Sequence, residues 1–255
     1  MNCKKETEKI VKFLKDEFKK AGFKKAILGI SGGLDSAVVC ALLVKALGSR
    51  NVYTFSLPYG QQTDIEDAKK IIVKYKVNYE TINILKTVNA YSNENVYGKN
   101  STLRLANIMA RVRMIALYDE SSEKNALVVG TGNKTELMLG YFTHYGDGAC
   151  AMEPIGHLFK TEVKELAKYL GVPESVIEKA PSAGLWEGQT DEEELGASYE
   201  EIDKCLKVYC GFRDNRYDYL HEIEPGSYDY SLFISLAKRI SKNKFKLEPP
   251  VQLEN

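Results

Sequence analysis

Apolar residues in the first half of the chain recur alternately at helical spacing and in short continuous runs. A helical pattern over residues 6–20 ends at Gly22, and an apolar run over residues 26–30 then leads into a Ser-Gly-Gly turn. The same criteria predict helices over residues 36–47, 63–75 and 102–118, and strands over residues 51–56, 79–84 and 126–130. Strands separated by helices indicate a parallel sheet covered by helices on both faces.

The pattern weakens after Gly130, where Gly and Pro residues interrupt it. Three further helices are predicted there, over residues 160–170, 199–209 and 228–242. The long connection 180–196 contains the only tryptophan, Trp186, beside an acidic run, 191–194, that would ordinarily form a solvated loop. We therefore predict one α/β domain over residues 1–255, a Rossmann-like doubly wound parallel sheet with a helical C-terminal part.

Composition narrows the classes of function that the chain could serve. Lys plus Arg and Asp plus Glu both number 35, so there is no global positive charge to recruit nucleic acid. Residues 1–20 are charged throughout, unlike a signal peptide, and no stretch approaches the roughly 20 apolar residues of a membrane helix. The five cysteines lack the paired spacing of a zinc site. We expect a cytoplasmic protein with reduced thiols that binds neither nucleic acid nor membranes.

The turn after the first predicted strand has the chemistry of an anion site. It consists of Gly29, Ile30, Ser31, Gly32, Gly33, Leu34, Asp35 and Ser36. It lacks the ending of a Walker A loop, but its glycines allow close backbone approach, and the following helix directs N–H groups at a ligand. A carboxylate would repel phosphate unless a cation lay between them, which makes Asp35 a candidate Mg²⁺ ligand. The alternative is an ordinary turn in which Asp35 and Ser36 merely cap the helix.

Two further motifs place polar side chains on predicted elements. Residues 130–136 follow a predicted strand, so Glu136 is either a second carboxylate for the same cation or an ordinary first-turn helix acid. Arg104, Asn107 and Arg111 share one face of a predicted helix. That polar stripe is either a solvated face or a site for a carboxylate or phosphate.

The Ser-Gly-Gly-Leu-Asp-Ser turn resembles the PP-loop of the adenine nucleotide α-hydrolase superfamily, whose members cleave ATP between its α- and β-phosphates. With further motifs in order, residues 24–202 resemble the NAD synthetase family. Those motifs are NxxARxRM from Asn107, GTxNKxE from Gly130, YFTxYGDG from Tyr141, PIGxLxKTEV from Pro154, PSAxLW from Pro181 and DExELG from Asp191. The resemblance implies ATP-dependent amidation of deamido-NAD to NAD by ammonia, through an acyl-adenylate, with release of AMP and pyrophosphate.

The resemblance also implies which residues bind ATP and metal. Residues 29–36 would bind the ATP phosphates, and Asp35 and Glu136 would bind Mg²⁺. Further ATP contacts would come from Thr131, Lys160 and Ser182. Lys160 would act as a catalytic residue, and residues 57–62 and 182–194 match the two flexible loops that cover the site in the family.

For the other substrates, the resemblance places Asp147 in the ammonia pocket as the second catalytic residue. Deamido-NAD would contact Arg111, His144, Ala151, Asn243 and Lys244. Three of these positions depart from the family pattern. The family often has Lys in place of His144 and Asp in place of Ala151, and its His-Lys pair aligns with Asn243-Lys244. The departures affect dinucleotide contacts rather than the phosphate chemistry, and we interpret the remaining histidines, His157 and His221, as structural.

The resemblance further implies a homodimer and ammonia rather than glutamine as nitrogen source. The first strand region begins after only 23 residues, which leaves no room for a preceding glutaminase domain. Two rival functions stay open. Another PP-loop enzyme, such as a tRNA-modifying one, should show a basic RNA surface or added cysteine pairs. A non-catalytic ATP-binding module would not need Asp35, Glu136 and Asp147 together.

Overall fold

The computed structural model describes residues 1–60, 65–91, 102–181, 190–214 and 228–253. Within them, one four-stranded parallel sheet has the order β3-β2-β1-β4. Its strands are β1 (Ala26–Gly29), β2 (Val52–Ser56), β3 (Asn78–Thr81) and β4 (Leu127–Val128). Ala26 of β1 lies opposite both Val52 and Leu127, so the central strand is paired on both sides. This arrangement confirms the predicted parallel sheet.

Helices connect the strands and cover them. Up to β4 these are α1 (Cys3–Ala21), α2 (Leu34–Leu47), α3 (Ile65–Tyr75), α4 (Leu85–Tyr91) and α5 (Thr102–Lys124). After β4 they are α6 (Lys134–Leu139), α7 (Lys160–Leu170), α8 (Glu174–Ile177), α9 (Asp191–Leu195), α10 (Tyr199–Asp214) and α11 (Tyr230–Asn243). Short 3-10 helices lie at Ser49–Asn51 and Lys244–Leu247. None of the helices in the described ranges combines the length and apolarity that crossing a bilayer would require.

Alternate side chains of β1 point into two separate hydrophobic cores. Ala26 and Leu28 pack with α1, α2, α3 and α7, whereas Ile27 packs with α4 and α5. All three side chains are fully buried. Because successive side chains of a strand face opposite sides of the sheet, helices cover both faces, and the fold is doubly wound as predicted.

A third hydrophobic core joins α6, α10 and α11. It includes Leu139, Ile202, Leu206, Leu236 and Ile240. Phe159, the residue before α7, is buried in the same cluster. This core confirms the predicted helical C-terminal part, and it brings α10 against the first turns of α6 and α7.

One local prediction was wrong. The strand predicted over residues 79–84 ends at Thr81, because Ile84 turns into the second core and leads into α4. The acidic run at 191–194, of a kind that would ordinarily form a solvated loop, is part of α9. Asp191 is only 4% exposed, because the hydroxyl groups of Tyr141 and Tyr199 each donate to its carboxylate at 3.1 Å.

Candidate active site

The strand order places a crevice at the carboxyl ends of β1 and β4. The chain runs from β1 outward to β2 and β3 on one side, and then returns to form β4 on the other side of β1. Connections that leave neighbouring strands in opposite directions separate above the sheet, and ligands of doubly wound folds bind there. The loop after β1 and the turn after β4, residues 129–133, therefore line the candidate site.

The loop after β1 is closed by its own polar groups. Gly32 has a φ of 81°, a left-handed conformation that favours glycine. The backbone N–H of Gly33 donates to the Ser31 hydroxyl at 3.2 Å, and the Ser36 hydroxyl donates to the Gly33 carbonyl at 3.0 Å. Gly33 is the N-cap of α2 and no side chain caps this helix. Asp35 and Ser36 therefore lie in the first turn of α2 without making a side-chain N-cap hydrogen bond.

Asp35 instead points across the crevice toward the turn after β4. Its Oδ1 accepts a hydrogen bond from Asn133 Nδ2 at 3.0 Å, and its Oδ2 accepts one from Lys160 Nζ at 2.5 Å. Lys160 Nζ also donates to Glu136 Oε1 at 3.1 Å. The side chains of Lys160, Asp35 and Glu136 are 7%, 17% and 18% exposed. One ammonium thus lies between two carboxylates that come from different helices.

The charges in this cluster depend on one another. Burial alone would lower the pKa of Lys160, but Asp35 and Glu136 together raise it, so the ammonium stays charged. Burial raises the pKa of Glu136, Lys160 lowers it in part, and Asp35 raises it further. The two carboxyl groups therefore repel each other when both are charged, and a further cation bound beside them would relieve that repulsion.

The first turn of α6 explains how Glu136 reaches this position. Asn133 and Glu136 form a reciprocal capping box, in which Glu136 Oε2 accepts from the Asn133 backbone at 3.3 Å. The other oxygen of the same carboxylate accepts from Lys160. Glu136 is therefore a first-turn helix acid, as one interpretation held, and its carboxylate also lies beside Asp35 in the cluster, while its role as a metal ligand stays a prediction.

Asp147 lies in the turn after Tyr141. Its Oδ1 accepts a hydrogen bond from the Thr143 backbone N–H at 2.8 Å. Surrounding protein atoms raise its pKa although the residue is still accessible to solvent, and Arg113 opposes that increase. Arg113 is itself fixed by a hydrogen bond from its Nε to the Leu57 carbonyl at 3.0 Å.

The polar stripe on α5 faces the same turn. Thr143 Oγ1 donates to Asn107 Oδ1 at 2.8 Å, and an Arg111 guanidinium nitrogen donates to the His144 carbonyl at 3.1 Å. The His144 ring stacks on Tyr145 at 3.8 Å and meets the edge of Phe245 at 6.0 Å. The structure therefore brings Arg111, His144 and the C-terminal segment together.

The other candidates for dinucleotide binding do not all point toward the same place. Asn243 Nδ2 donates to the Leu139 carbonyl at 3.0 Å, whereas Lys244 turns away to an exposed ion pair with Glu248 at 3.1 Å. Ala151 is exposed next to β4. Sequence analysis missed Lys246, whose Nζ donates to the carbonyls of Gly140 and Phe142 at 2.7 and 3.0 Å. The position of Lys246 three residues after Asn243 did not predict these contacts, because they depend on how α11 docks against the rest of the fold.

Glu153 is a second residue that sequence analysis missed. Its Oε2 accepts from the Gly132 backbone N–H at 2.8 Å, and Oε1 accepts from Cys150 Sγ at 3.3 Å. A Cβ at Gly130 would overlap the Glu153 carboxyl group, so any larger residue there would displace this carboxyl group from its present position. Burial raises the pKa of Glu153 to about 7. The only available sequence signal was an acidic residue directly before Pro154 in an otherwise apolar run.

The structure says less about the remaining residues that the sequence singled out. Thr131 is half-buried in the turn after β4. His157 contacts Glu6 of α1 at 2.6 Å on the surface, in keeping with a structural role, and all five cysteines are free thiols. Four residues singled out in the sequence, Gln62, Ser182, Trp186 and His221, lie outside the described residues, as does most of the loop 182–194.

A parallel sheet with a Ser-Gly-Gly loop at its switch point, next to a lysine between two carboxylates, defines a nucleotide-binding enzyme of the PP-loop class. A family model described as NAD synthase matches residues 6–250, and the chain belongs to the NAD synthase family. An NH(3)-dependent NAD(+) synthetase of Fusobacterium nucleatum is 43% identical over 254 residues, which cover 98% of this chain and 96% of that protein.

Two solved structures have the same fold over the entire length of both chains. NMN synthetase from Francisella tularensis superposes with a TM-score of 0.86 at 32% identity, and covers 100% of both chains. NH3-dependent NAD synthetase from Campylobacter jejuni, in complex with the nitrate ion, superposes with a TM-score of 0.81 at 36% identity, also over 100% of both chains.

Proposed function

We propose that the chain catalyses the ATP-dependent amidation of deamido-NAD by ammonia, giving NAD, AMP and pyrophosphate. The observation that carries the proposal is the Lys160 ammonium between Asp35 and Glu136, beside the loop after β1. A fixed cation next to free helix N–H groups suits the stabilisation of negative charge on a reacting triphosphate.

In the first step, a carboxylate oxygen of the nicotinate ring attacks the α-phosphorus of ATP, and the bond to the β-phosphate oxygen breaks. Pyrophosphate leaves with that electron pair, and the acyl-adenylate is formed. Lys160 is positioned to neutralise charge that develops during this displacement, because its two carboxylates hold its side chain in place and keep it protonated. No covalent bond to the protein is needed.

The donor set near Lys160 fits Mg²⁺. Asp35 and Glu136 are oxygen ligands of the kind that Mg²⁺ takes, together with substrate phosphates and waters. Within the described ranges, no group of three or more His, Cys, Asp and Glu residues could hold a metal. The ion would therefore rely on the nucleotide for its remaining ligands, and it would supply charge neutralisation for the phosphates.

In the second step, ammonia attacks the acyl carbon, AMP leaves, and the amide nitrogen releases a proton. We assign Asp147 as the group that orients ammonium or accepts a proton in this step. Its raised pKa brings it closer to neutral pH, where proton exchange with an amine is more effective. The carboxylate is accessible to solvent and is oriented by Thr143, so it can meet a small incoming molecule.

A second candidate substrate differs from deamido-NAD in the size of the pyridine nucleotide. The high structural similarity to an NMN synthetase favours a second candidate substrate, the nicotinate mononucleotide that lacks the AMP half. Two of the residues that we assign to dinucleotide binding, Ala151 and His144, also depart from the NAD synthetase pattern. We retain deamido-NAD as the principal substrate because the relatives compared at 42–46% identity are named NAD synthetases.

A substrate panel tests the proposal. The purified chain is incubated with ATP, Mg²⁺ and ammonium, and AMP formation is measured with deamido-NAD, nicotinate mononucleotide, GMP precursors or tRNA. We expect stoichiometric NAD and AMP with deamido-NAD. AMP formation with tRNA alone would favour the tRNA-modifying alternative, and ATP binding without any turnover would favour the non-catalytic module.

Three properties complete the proposal. We propose that the enzyme is a homodimer, that it acts in the cytoplasm, and that residues 1–255 form one synthetase domain. The dimer is testable by sedimentation of the purified chain, and a monomer with full activity would contradict it.

A further inference from the structure

A buried carboxylate on α10 lies where the first turns of α6 and α7 meet. Asp203 is 2% exposed, yet its oxygens have three donors. Oδ1 accepts from Thr135 Oγ1 at 2.6 Å, and Oδ2 accepts from the Thr161 backbone N–H at 2.9 Å and from Thr161 Oγ1 at 2.8 Å. Burial raises the pKa of Asp203, and the hydrogen bonds from Thr135 and Thr161 oppose that increase and hold the carboxyl group in place.

The donors to Asp203 are direct neighbours of two residues in the candidate active site. Thr135 precedes Glu136, and Thr161 follows Lys160. The Lys160 backbone N–H donates to Thr135 Oγ1 at 3.0 Å, so this hydroxyl accepts from Lys160 and donates to Asp203. One continuous chain of hydrogen bonds thus joins the backbones that carry the ammonium and one of its two carboxylates.

We propose that Asp203 is a positioning residue for the adenylation step, which fixes α6 against α7 so that Lys160 stays aligned with Glu136. The inference rests on the proposed function. The three hydrogen bonds described above all come from residues adjacent to Glu136 or Lys160, so a shift of Asp203 would be passed to the segments that carry those two side chains. Effective charge stabilisation requires alignment within a fraction of an ångström.

The main test is Asp203→Asn, which keeps the size of the side chain but converts one acceptor into a donor. Thr135 and Thr161 can then no longer both donate their hydroxyl hydrogens. We expect kcat for AMP release to fall about 10- to 100-fold, as for other residues that support a reactive group. KM for deamido-NAD should change less than about threefold, because the residues assigned to that substrate lie elsewhere.

Leu206→Ala is the matched control. Leu206 is fully buried on the same helix, one turn further along, and packs only in the third hydrophobic core. It should destabilise the protein through a cavity but leave kcat within about threefold when measured well below the melting temperature. An equal loss of kcat in both variants would overturn the inference, since it would indicate a merely structural role.

Thr161 provides a milder pair in case Asp203→Asn does not fold. Thr161→Val removes the hydroxyl donor and should lower kcat about 3- to 10-fold. Thr161→Ser retains that donor, so its kcat should stay near the wild-type value. Hydrogen exchange adds a readout independent of activity: the amides of Lys160 and Thr161 should exchange at least about tenfold faster in Asp203→Asn, with α2 unchanged.

The outcomes separate the inference from the proposed function. Wild-type kcat in Asp203→Asn, or unchanged amide exchange at residues 160 and 161, would overturn the positioning role alone. If the wild-type enzyme forms no NAD from deamido-NAD, the proposed function fails, whereas the exchange measurement still tests whether Asp203 orders these first turns.

Discussion

The carboxyl group of Glu153 provides a quantitative test of the electrostatics at the end of β4. Burial raises its pKa from an ordinary 4.5 to about 7, although hydrogen bonds from the Cys150 thiol and the Gly132 backbone N–H lower it in part. One pKa unit corresponds to about 1.4 kcal/mol. The ionised form therefore costs on the order of 3 kcal/mol in the folded protein, and the cost is absent when the group is protonated.

The direction in which the free energy of unfolding changes with pH depends on whether the folded or the unfolded state binds the proton of Glu153 more tightly. Between pH 4.5 and about 7 the folded protein retains a proton on Glu153 that the unfolded chain has already released. The free energy of unfolding therefore falls as the pH rises through this window, and this contribution is constant above it. Glu153→Gln replaces the titrating group with a neutral one of the same size, whose carbonyl oxygen can still accept from Gly132.

The assay is urea denaturation followed by circular dichroism between pH 5 and 8. The free energy of unfolding of Glu153→Gln should exceed that of wild type by an amount that grows as the pH rises from 5 to about 7. Above that pH the difference should stay constant at up to about 3 kcal/mol. The exposed Glu8 on α1 supplies the matched control, and Glu8→Gln should show no comparable gain. A difference between Glu153→Gln and wild type that stays constant from pH 5 to pH 8 would refute the reasoning.

Other predictions concern the reaction. Asp35→Asn and Glu136→Gln should each remove most of the NAD-forming activity while circular dichroism shows an intact fold, and normal turnover of both at limiting Mg²⁺ would contradict the metal assignment. Lys160→Met removes the ammonium and should lower kcat about 100- to 1000-fold; a loss below tenfold in steady-state assays would contradict its role. Ammonium should support NAD synthesis and free glutamine should not, so efficient glutamine-dependent synthesis by the purified chain would contradict the nitrogen assignment.

The local parts of the fold were predictable because their causes are local. The helix at residues 160–170 was predicted with its observed ends, since its apolar spacing and the following Gly171 lie within one segment. The strand predicted over residues 79–84 was too long. Its apolar positions belong partly to β3 and partly to the approach to α4, and a periodic pattern does not reveal where the chain turns inward.

The candidate site was predictable to the extent that its residues are consecutive. The loop of residues 29–36 combines a strand end, two glycines and a helix start, so its position and its anion chemistry follow from the sequence. The acidic run at 191–194 shows the opposite case. Such a composition is ordinarily solvated, but Asp191 is buried, where Tyr199 of the next helix and Tyr141, 50 residues away, donate to its carboxylate.

The sequence by itself determined the alternation of strands and helices, the phosphate loop and the set of chemically able residues. Only the tertiary structure decided which of them meet: Lys160 joins Asp35 from 125 residues away, Asp203 joins Thr135 from 68, and Glu153 enters the glycine turn after β4. The physical reason is that secondary structure depends on neighbours within a few residues. Burial, pKa and hydrogen-bond partners depend instead on atoms that folding brings together from distant segments.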